Sequence, residues 1–388
     1  MRDAVAQLAE TQQPKPNPMG RVMHSVVQSF AGLVHSLTPS APGAIRDETQ
    51  ELDVLPDENQ PLGKLLAQIR AQEPSMAYRG QRGEEWWSWR QSLREKVGEL
   101  LGTSYQHQSH VESEVIHTAL ISGVERVELR LTAADGLKLP AYLMYPVDMT
   151  EPAPALLVYP GHGTIRDTAG VDESLHLSNA LALAQMGYVT LTVEERGFGT
   201  LGEIDHNVLD NVARLIGKTW LGIAIDDGRL ALDYLQSLPK VRPSALGVTG
   251  LGLGGGLAIY TAALDERVIT VVNQNYLTSS IDRTAMTDAC DFIPYLRHYS
   301  SLGDVARLVV PRPMLFVYPK DRPTTGLART FFDQMRPSYE VFRCPDRTRF
   351  FENDRGGVYN NTIAQFWFDR WLMEEEDPTC LLLAPTEE

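Results

Sequence analysis

From residue 155 onward the chain alternates between two hydrophobic periods. Short apolar runs rich in β-branched and aromatic residues predict strands at 155–159, 188–193, 246–249, 268–272, 314–318 and 339–343. Between them, apolar residues spaced about 3.6 apart predict helices at 174–186, 222–236, 254–264, 327–335 and 362–373. Near-continuous apolar strands alternating with helices imply an α/β fold, a mostly parallel sheet covered on both faces. In such sheets, ligands bind where the loops gather at the carboxyl ends of the strands. Two long connections, 195–221 and 273–310, leave that edge and are candidates for a lid or pocket wall.

Upstream the pattern differs. "VERVELRLTAADGLKLPAYLMYP" (124–146) is two alternating runs joined around "ADG", which predicts an antiparallel hairpin extending one sheet edge. "GEEWWSWRQSLREKVGELLG" (83–102) carries Trp87, Leu93, Val97 and Leu100 at helical spacing and ends in Gly102, a natural helix terminator. Residues 1–75 are rich in Pro, Gln, Asp and Glu and read as a loosely ordered extension with short helices. The expected organisation is that extension, a helical segment at 76–111, and a main domain over 112–388.

Composition narrows the function classes. Of 388 residues, 43% are apolar and 22% charged, enough for a sizeable core, with no apolar run of membrane-spanning length. The formal charge of −15 would repel a phosphate backbone or an anionic membrane surface. A small-molecule ligand or substrate is the expected partner, with a homo-oligomer left open. Three widely spaced cysteines (Cys290, Cys344, Cys380), with no C-x-x-C pair, predict no disulfide framework, no metal site and a reducing, cytoplasmic setting. The stretch 19–44 mimics a signal peptide, but His24, Ser25, Gln28, Ser29 and His35 interrupt its apolar core, so an amphipathic helix or arm is the better reading.

The chemistry turns on "GVTGLGLGGGLAIY" (247–260), a strand, a glycine turn and a helix. A nucleophile elbow has the form G-x-S-x-G between strand and helix. Gly250 and Gly254 stand at the flanking positions, and Gly252 stands where the nucleophile would be. Gly250, Gly252 and Gly255 also match G-x-G-x-x-G formally. That dinucleotide fingerprint belongs to a first βαβ unit followed by an acidic strand end. This loop opens a later unit, and the next strand ends in "NQN", so no cofactor is expected.

Further segments carry a resemblance. "VYPGHG", "VEERGFG", "DDGRLALDYLQSLPKVRPSALGVTG", "AALDERV", "CDFIPYLRHYSSLGDVARLVVPRPMLFVYPKDRP" and "GGVYNNTIAQFWFDRWL" resemble the acetyl xylan esterase and dienelactone hydrolase-like branch of the α/β-hydrolase superfamily, over 83–372. The resemblance implies an α/β-hydrolase fold, an oxyanion loop at "PGHGT" and a triad acid at Asp321. It places the triad histidine near Gly356 or Gly357. None of the nine histidines follows Asp321. Two of the three triad positions, Gly252 and Gly357, are therefore expected to be degenerate.

What remains is an oxyanion loop and a few ionisable groups. Amides at Gly163, Thr164 and Leu253 are expected to bind a substrate oxygen. His162 is a candidate acid or base, although an inherited loop histidine that shapes the turn is the favoured reading. Asp321 without a histidine to orient can serve as a backbone acceptor. His298, in the second long loop, is a candidate replacement base. Ser279 and Ser280 have no evident base. Asp226 and Asp227 are expected to cap or anchor a helix, and Glu194, Glu195 and Arg196 to form an ion pair near the pocket mouth. Three functions follow: a non-hydrolytic member binding, or doing acid–base chemistry on, an oxygen-rich small molecule; a scaffolding pseudoenzyme; and a residual esterase using histidine-activated water.

Overall fold

The structure is a computed structural model and describes residues 59–276, 290, 292–320 and 322–373. The N-terminal extension before 59, Ser279, Ser280, Asp321 and Cys380 lie outside the described residues. Strands β1 (Ser113–Ile121), β2 (Val124–Thr132), β3 (Lys138–Pro146), β4 (Ala153–Tyr159), β5 (Val189–Val193), β6 (Val241–Leu251), β7 (Val268–Gln274), β8 (Met314–Pro319) and β9 (Thr348–Asn353) form one sheet. Its order is β1-β2-β3-β5-β4-β6-β7-β8-β9. Pairing is antiparallel from β1 through β5 and parallel from β5 to β9.

Both faces of β4, β5, β7 and β8 are covered, which is why those strands read as unbroken apolar runs. Successive residues of β4 belong to opposite cores: Ala155, Leu157 and Tyr159 to one, Leu156 and Val158 to the other. The helices, in chain order, are α1 (Pro61–Arg70), α2 (Gly83–Leu101), α3 (Ile165–Thr168), α4 (Asn179–Gln185), α5 (His206–Arg214), α6 (Trp220–Ser237), α7 (Leu253–Leu264), α8 (Leu296–Tyr299), α9 (Leu302–Arg307), α10 (Pro323–Met335), α11 (Pro337–Val341) and α12 (Asn361–Phe368). α2, α6 and α7 cover the first core, and α4 and α12 the second.

The structure corrects several expectations. α2 ends at Gly102 in a left-handed cap, as its sequence suggests, but its buried face is Trp86, Trp89, Leu93, Val97 and Leu101. Leu93 and Val97 point inward as expected, but Trp86 and Leu101 take the inward places expected of Trp87, which is 37% exposed, and Leu100. Residues 339–343 are not a strand: Pro337 starts α11, and Tyr339 is buried there with its hydroxyl donating to the Arg312 carbonyl. β1 and β9 have no counterpart among the predicted strands. Helix α6 begins at Trp220 with Thr219 as its cap, so Asp226 and Asp227 sit inside the helix and cap nothing. The connection 195–221 is not open loop either, because α5 occupies its middle.

Candidate functional site

The carboxyl end of β6 makes the central turn. Gly252 has φ 57° and ψ −125°, between the last residue of β6 and the first of α7. That conformation is one L side chains adopt only under strain, and its amide donates to the Gln274 carbonyl at 2.8 Å. A Cβ built on Gly252 meets nothing within 4 Å. The flanking glycines are different. A Cβ on Gly250 would lie 2.3 Å from the Gly254 carbonyl carbon, and one on Gly254 would lie 2.4 Å from the Tyr159 carbonyl oxygen. The turn therefore needs glycine on either side for close packing, while its tip stands open. Only the tip has room for a side chain.

The loop after β4 closes over this turn. A Cβ on Gly161 would lie 2.4 Å from the Gly254 amide nitrogen. Several loop amides already have acceptors. Gly161 donates to Glu195 Oε1 at 3.2 Å, Gly163 to the Pro160 carbonyl at 3.2 Å, and Thr164 to Asp167 Oδ2 at 2.7 Å. Thr164 is the cap of α3, with Asp167 completing a capping box. A ligand oxygen at Gly163 or Thr164 would have to displace those bonds. Leu253, as first residue of α7, has an amide with no acceptor inside its own helix, and is the better-placed of the expected oxyanion donors.

Behind the loop lie two buried carboxyl groups. Glu194 accepts from the Ile165 amide at 3.1 Å, and Glu195 from Gly161. Burial raises the pKa of both, that of Glu195 well above the carboxylate range, with the neighbouring Glu194 adding to the rise. Glu195 lines a cavity of about 10 Å³, with Tyr159, Asp227 and Gly228 on its walls, and that is room for about one water. The expected ion pair of Arg196 with Glu194 and Glu195 is not what forms. Arg196 instead grips Asp227 through Nε and Nη2, at 2.7 and 2.9 Å, and also pairs with Asp135. The guanidinium thus joins β5's exit to α6, and the two glutamates are held by backbone amides instead. Asp226 meanwhile accepts from the Ser104 amide.

Gly357 lies on the loop between β9 and α12, where its carbonyl accepts from Asn275 Nδ2 at 2.9 Å. A Cβ there would have Arg322 and Asn275 side-chain nitrogens as its nearest neighbours, at 3.9 Å. Neutral amides tie the surrounding loop down: Gln274 exchanges hydrogen bonds with the Asn360 backbone, and Tyr359 meets Thr249 at 2.7 Å. His298 is on α8, where its ring meets Gln72 at 2.8 Å, so it is engaged with the N-terminal helical segment. His162 is exposed on the loop after β4, with Nε2 3.3 Å from Cys290 Sγ. Sequence reasoning put Glu195 near the pocket mouth without its bond to Gly161, and it missed His206 and Cys290 as neighbours of this loop.

An elbow at the carboxyl edge of this mixed, mostly parallel sheet, with N-terminal helices and an antiparallel N-terminal portion, defines an α/β-hydrolase fold. The chain belongs to the Abhydrolase family, whose profile matches residues 63–356. It is 32% identical over 193 residues to "Putative hydrolase YtaP" of Bacillus subtilis (strain 168), covering 46% of this chain and 63% of that protein. It is 27% identical over 128 residues to Polyketide transferase claH of Penicillium crustosum, covering 33% and 36% respectively. The chain thus spans less than two thirds of either relative. Among solved structures, a "putative acetyl xylan esterase" from Bacteroides fragilis NCTC 9343 superposes with a TM-score of 0.67 at 18% identity, covering 81% of this chain and 86% of that one. At that identity the likeness concerns the fold.

Proposed function

We propose that this chain is a non-hydrolytic member of the Abhydrolase family that binds an oxygen-rich small molecule at the elbow, or carries out acid–base chemistry on it such as elimination, cyclisation or isomerisation. The observation that carries the reading is Gly252: the residue at the turn's tip has elbow geometry and open space, but no nucleophile. Gly357, with only Asn275 and Arg322 nitrogens nearest its Cβ position, gives a second reason, since the matching base position holds no imidazole. Without nucleophile and base, the acyl-enzyme route is closed, and what remains is binding and polarisation of a ligand oxygen. That one relative is named for transfer rather than hydrolysis is compatible with this reading.

The roles divide as follows. The Leu253 amide, at the start of α7, would meet a carbonyl or carboxylate oxygen, aided by the positive end of the helix dipole. His162 would exchange the proton, because imidazole is the side chain whose ordinary pKa lies near neutrality. Arg322 beside Gly357 would favour an anionic group on the ligand. Asp321 has no assigned part without a histidine to orient. Homo-oligomerisation and a cytoplasmic setting are compatible with this proposal and do no work in it.

One observation favours a second reading: exposed His162 lies beside the elbow loop, where it can activate a water for residual ester hydrolysis. The same experiment separates the two. Wild-type protein is assayed on p-nitrophenyl acetate beside His162→Ala and the double variant Gly252→Ser/Gly357→His. The proposal expects wild type to match the buffer rate and the double variant to gain a burst of p-nitrophenol. Clear wild-type turnover that His162→Ala abolishes would overturn it in favour of the esterase.

A further inference from the structure

We infer that His162, His206 and Cys290 form a three-ligand site for a zinc-like divalent transition metal. The sequence offers no metal motif, because Cys290 and His162 are 128 residues apart. The fold brings them together. His162 follows β4, His206 opens α5 after β5, and Cys290 lies beyond β7, so three loops at one sheet edge each deliver one donor. Their ligating atoms all lie within 4.8 Å of one another, and His162 Nε2 is 3.3 Å from Cys290 Sγ. Zinc bonds of about 2.0–2.1 Å to nitrogen and 2.3 Å to sulfur place tetrahedral neighbours about 3.3–3.7 Å apart. The His162–Cys290 pair already has that spacing, and the widest separation in the set must close by about an ångström.

The surroundings suit the role. His206 is buried, its ring 4.7 Å from Phe198 and 5.7 Å from Trp220. Trp220 is itself fixed by donating Nε1 to the Arg196 carbonyl at 2.6 Å. Asp205 Oδ2 lies 3.6 Å from His206 Nδ1. A carboxylate behind one ring nitrogen orients an imidazole so that the other, here Nε2, meets the metal. One thiolate and two imidazoles select zinc or cobalt over magnesium and calcium, which prefer oxygen. Coordination takes the thiol as thiolate and so releases its proton to solvent. Three protein ligands leave a fourth position for water or a ligand oxygen, and exposed His162 gives solvent a way in. A metal there would engage His162 Nε2 and so compete with the proton exchange proposed for that residue, while ligand binding at the Leu253 amide is unaffected.

The test titrates Co²⁺ into untagged, chelator-treated full-length protein. One equivalent is expected to bind, with a thiolate-to-cobalt charge-transfer band, and Zn²⁺ should abolish the band by displacement. Cys290→Ser should remove the band, and His206→Gln should weaken binding at least tenfold, whereas Mg²⁺ should have no effect. Circular dichroism identifies any variant that misfolds, and the wild-type titration stands by itself. No stoichiometric band in wild type, or a band that survives Cys290→Ser, would overturn the proposal.

Discussion

Substituting the elbow glycines one at a time should give very unequal costs. At Gly252 a Cβ meets nothing within 4 Å, so the penalty of Gly252→Ser is conformational. Holding a non-glycine residue at φ 57°, ψ −125° costs about 1–3 kcal/mol. At Gly254 a Cβ would sit 2.4 Å from the Tyr159 carbonyl oxygen. That oxygen ends β4, which pairs with β5 and β6 on either side, so it cannot retreat without disturbing both ladders. Gly254→Ala gains a little helix propensity, but overpacking against fixed backbone outweighs it, and a loss of about 4 kcal/mol or more is expected. Unfolding entropy per residue puts about 0.6 kcal/mol on each degree for a domain of this size. Thermal denaturation followed by circular dichroism should therefore show Gly252→Ser melting about 2–5 °C below wild type, and Gly254→Ala about 6 °C or more below it. Equal losses at the two positions would refute the open-tip geometry.

Three other predictions concern the loop and the core. Burial raises the Glu195 pKa well above its ordinary value, so the stability this group contributes is complete at low pH and is lost as pH rises through the raised folded pKa. Glu195→Gln keeps the acceptor for the Gly161 amide without the charge, and should melt no lower than wild type at pH 8; a lower melting point there would sink this account. His176 packs its Nε2 against Gly163, and burial lowers its pKa. The unfolded chain then binds more protons below about pH 6.5, so stability falls as pH drops from there toward the folded pKa. His176→Gln should flatten that acid limb in urea titrations, and an unchanged limb would contradict the assignment. Trp86, fully buried against Tyr78, Trp89 and Phe342, should cost about 3–5 kcal/mol as Trp86→Ala, whereas exposed Trp87 should cost under about 1 kcal/mol. Similar denaturation midpoints for the two would disprove the inward register of α2.

How much of this was readable from residues alone depended on burial. β4 to β8 are wrapped on both faces, so their apolar runs stand out, and the elbow between β6 and α7 follows from its glycines. β1 is exposed along most of its length, and "SEVIHTALI" has no inward stripe to give it away. β9, "TRFFEN", mixes charge and aromatics because it pairs with β8 at the sheet's far end. The apolar cluster at 339–343 imitates a strand, and only Pro337, two residues earlier, signals a helix start. Asp226 and Asp227 look like caps because the apolar helix surface extends upstream to Trp220. At the site, the glycine turn itself was legible, since its close packing demands glycine at 250 and 254. The meeting of His162, His206 and Cys290 was not, because loops far apart in sequence make it and no local period records it. The pairing of Arg196 with Asp227 was hidden for the same reason.

The central claim is that no nucleophile at this elbow takes an acyl group. Intact-mass spectrometry of wild-type protein after incubation with an activated ester, with peptide mapping of any adduct, tests it most directly. The account predicts an unchanged mass for wild type, and an acyl adduct on residue 252 in Gly252→Ser/Gly357→His when deacylation is outrun. One acyl group per wild-type chain, formed at saturable rate and mapped to a residue beside the elbow, would contradict it.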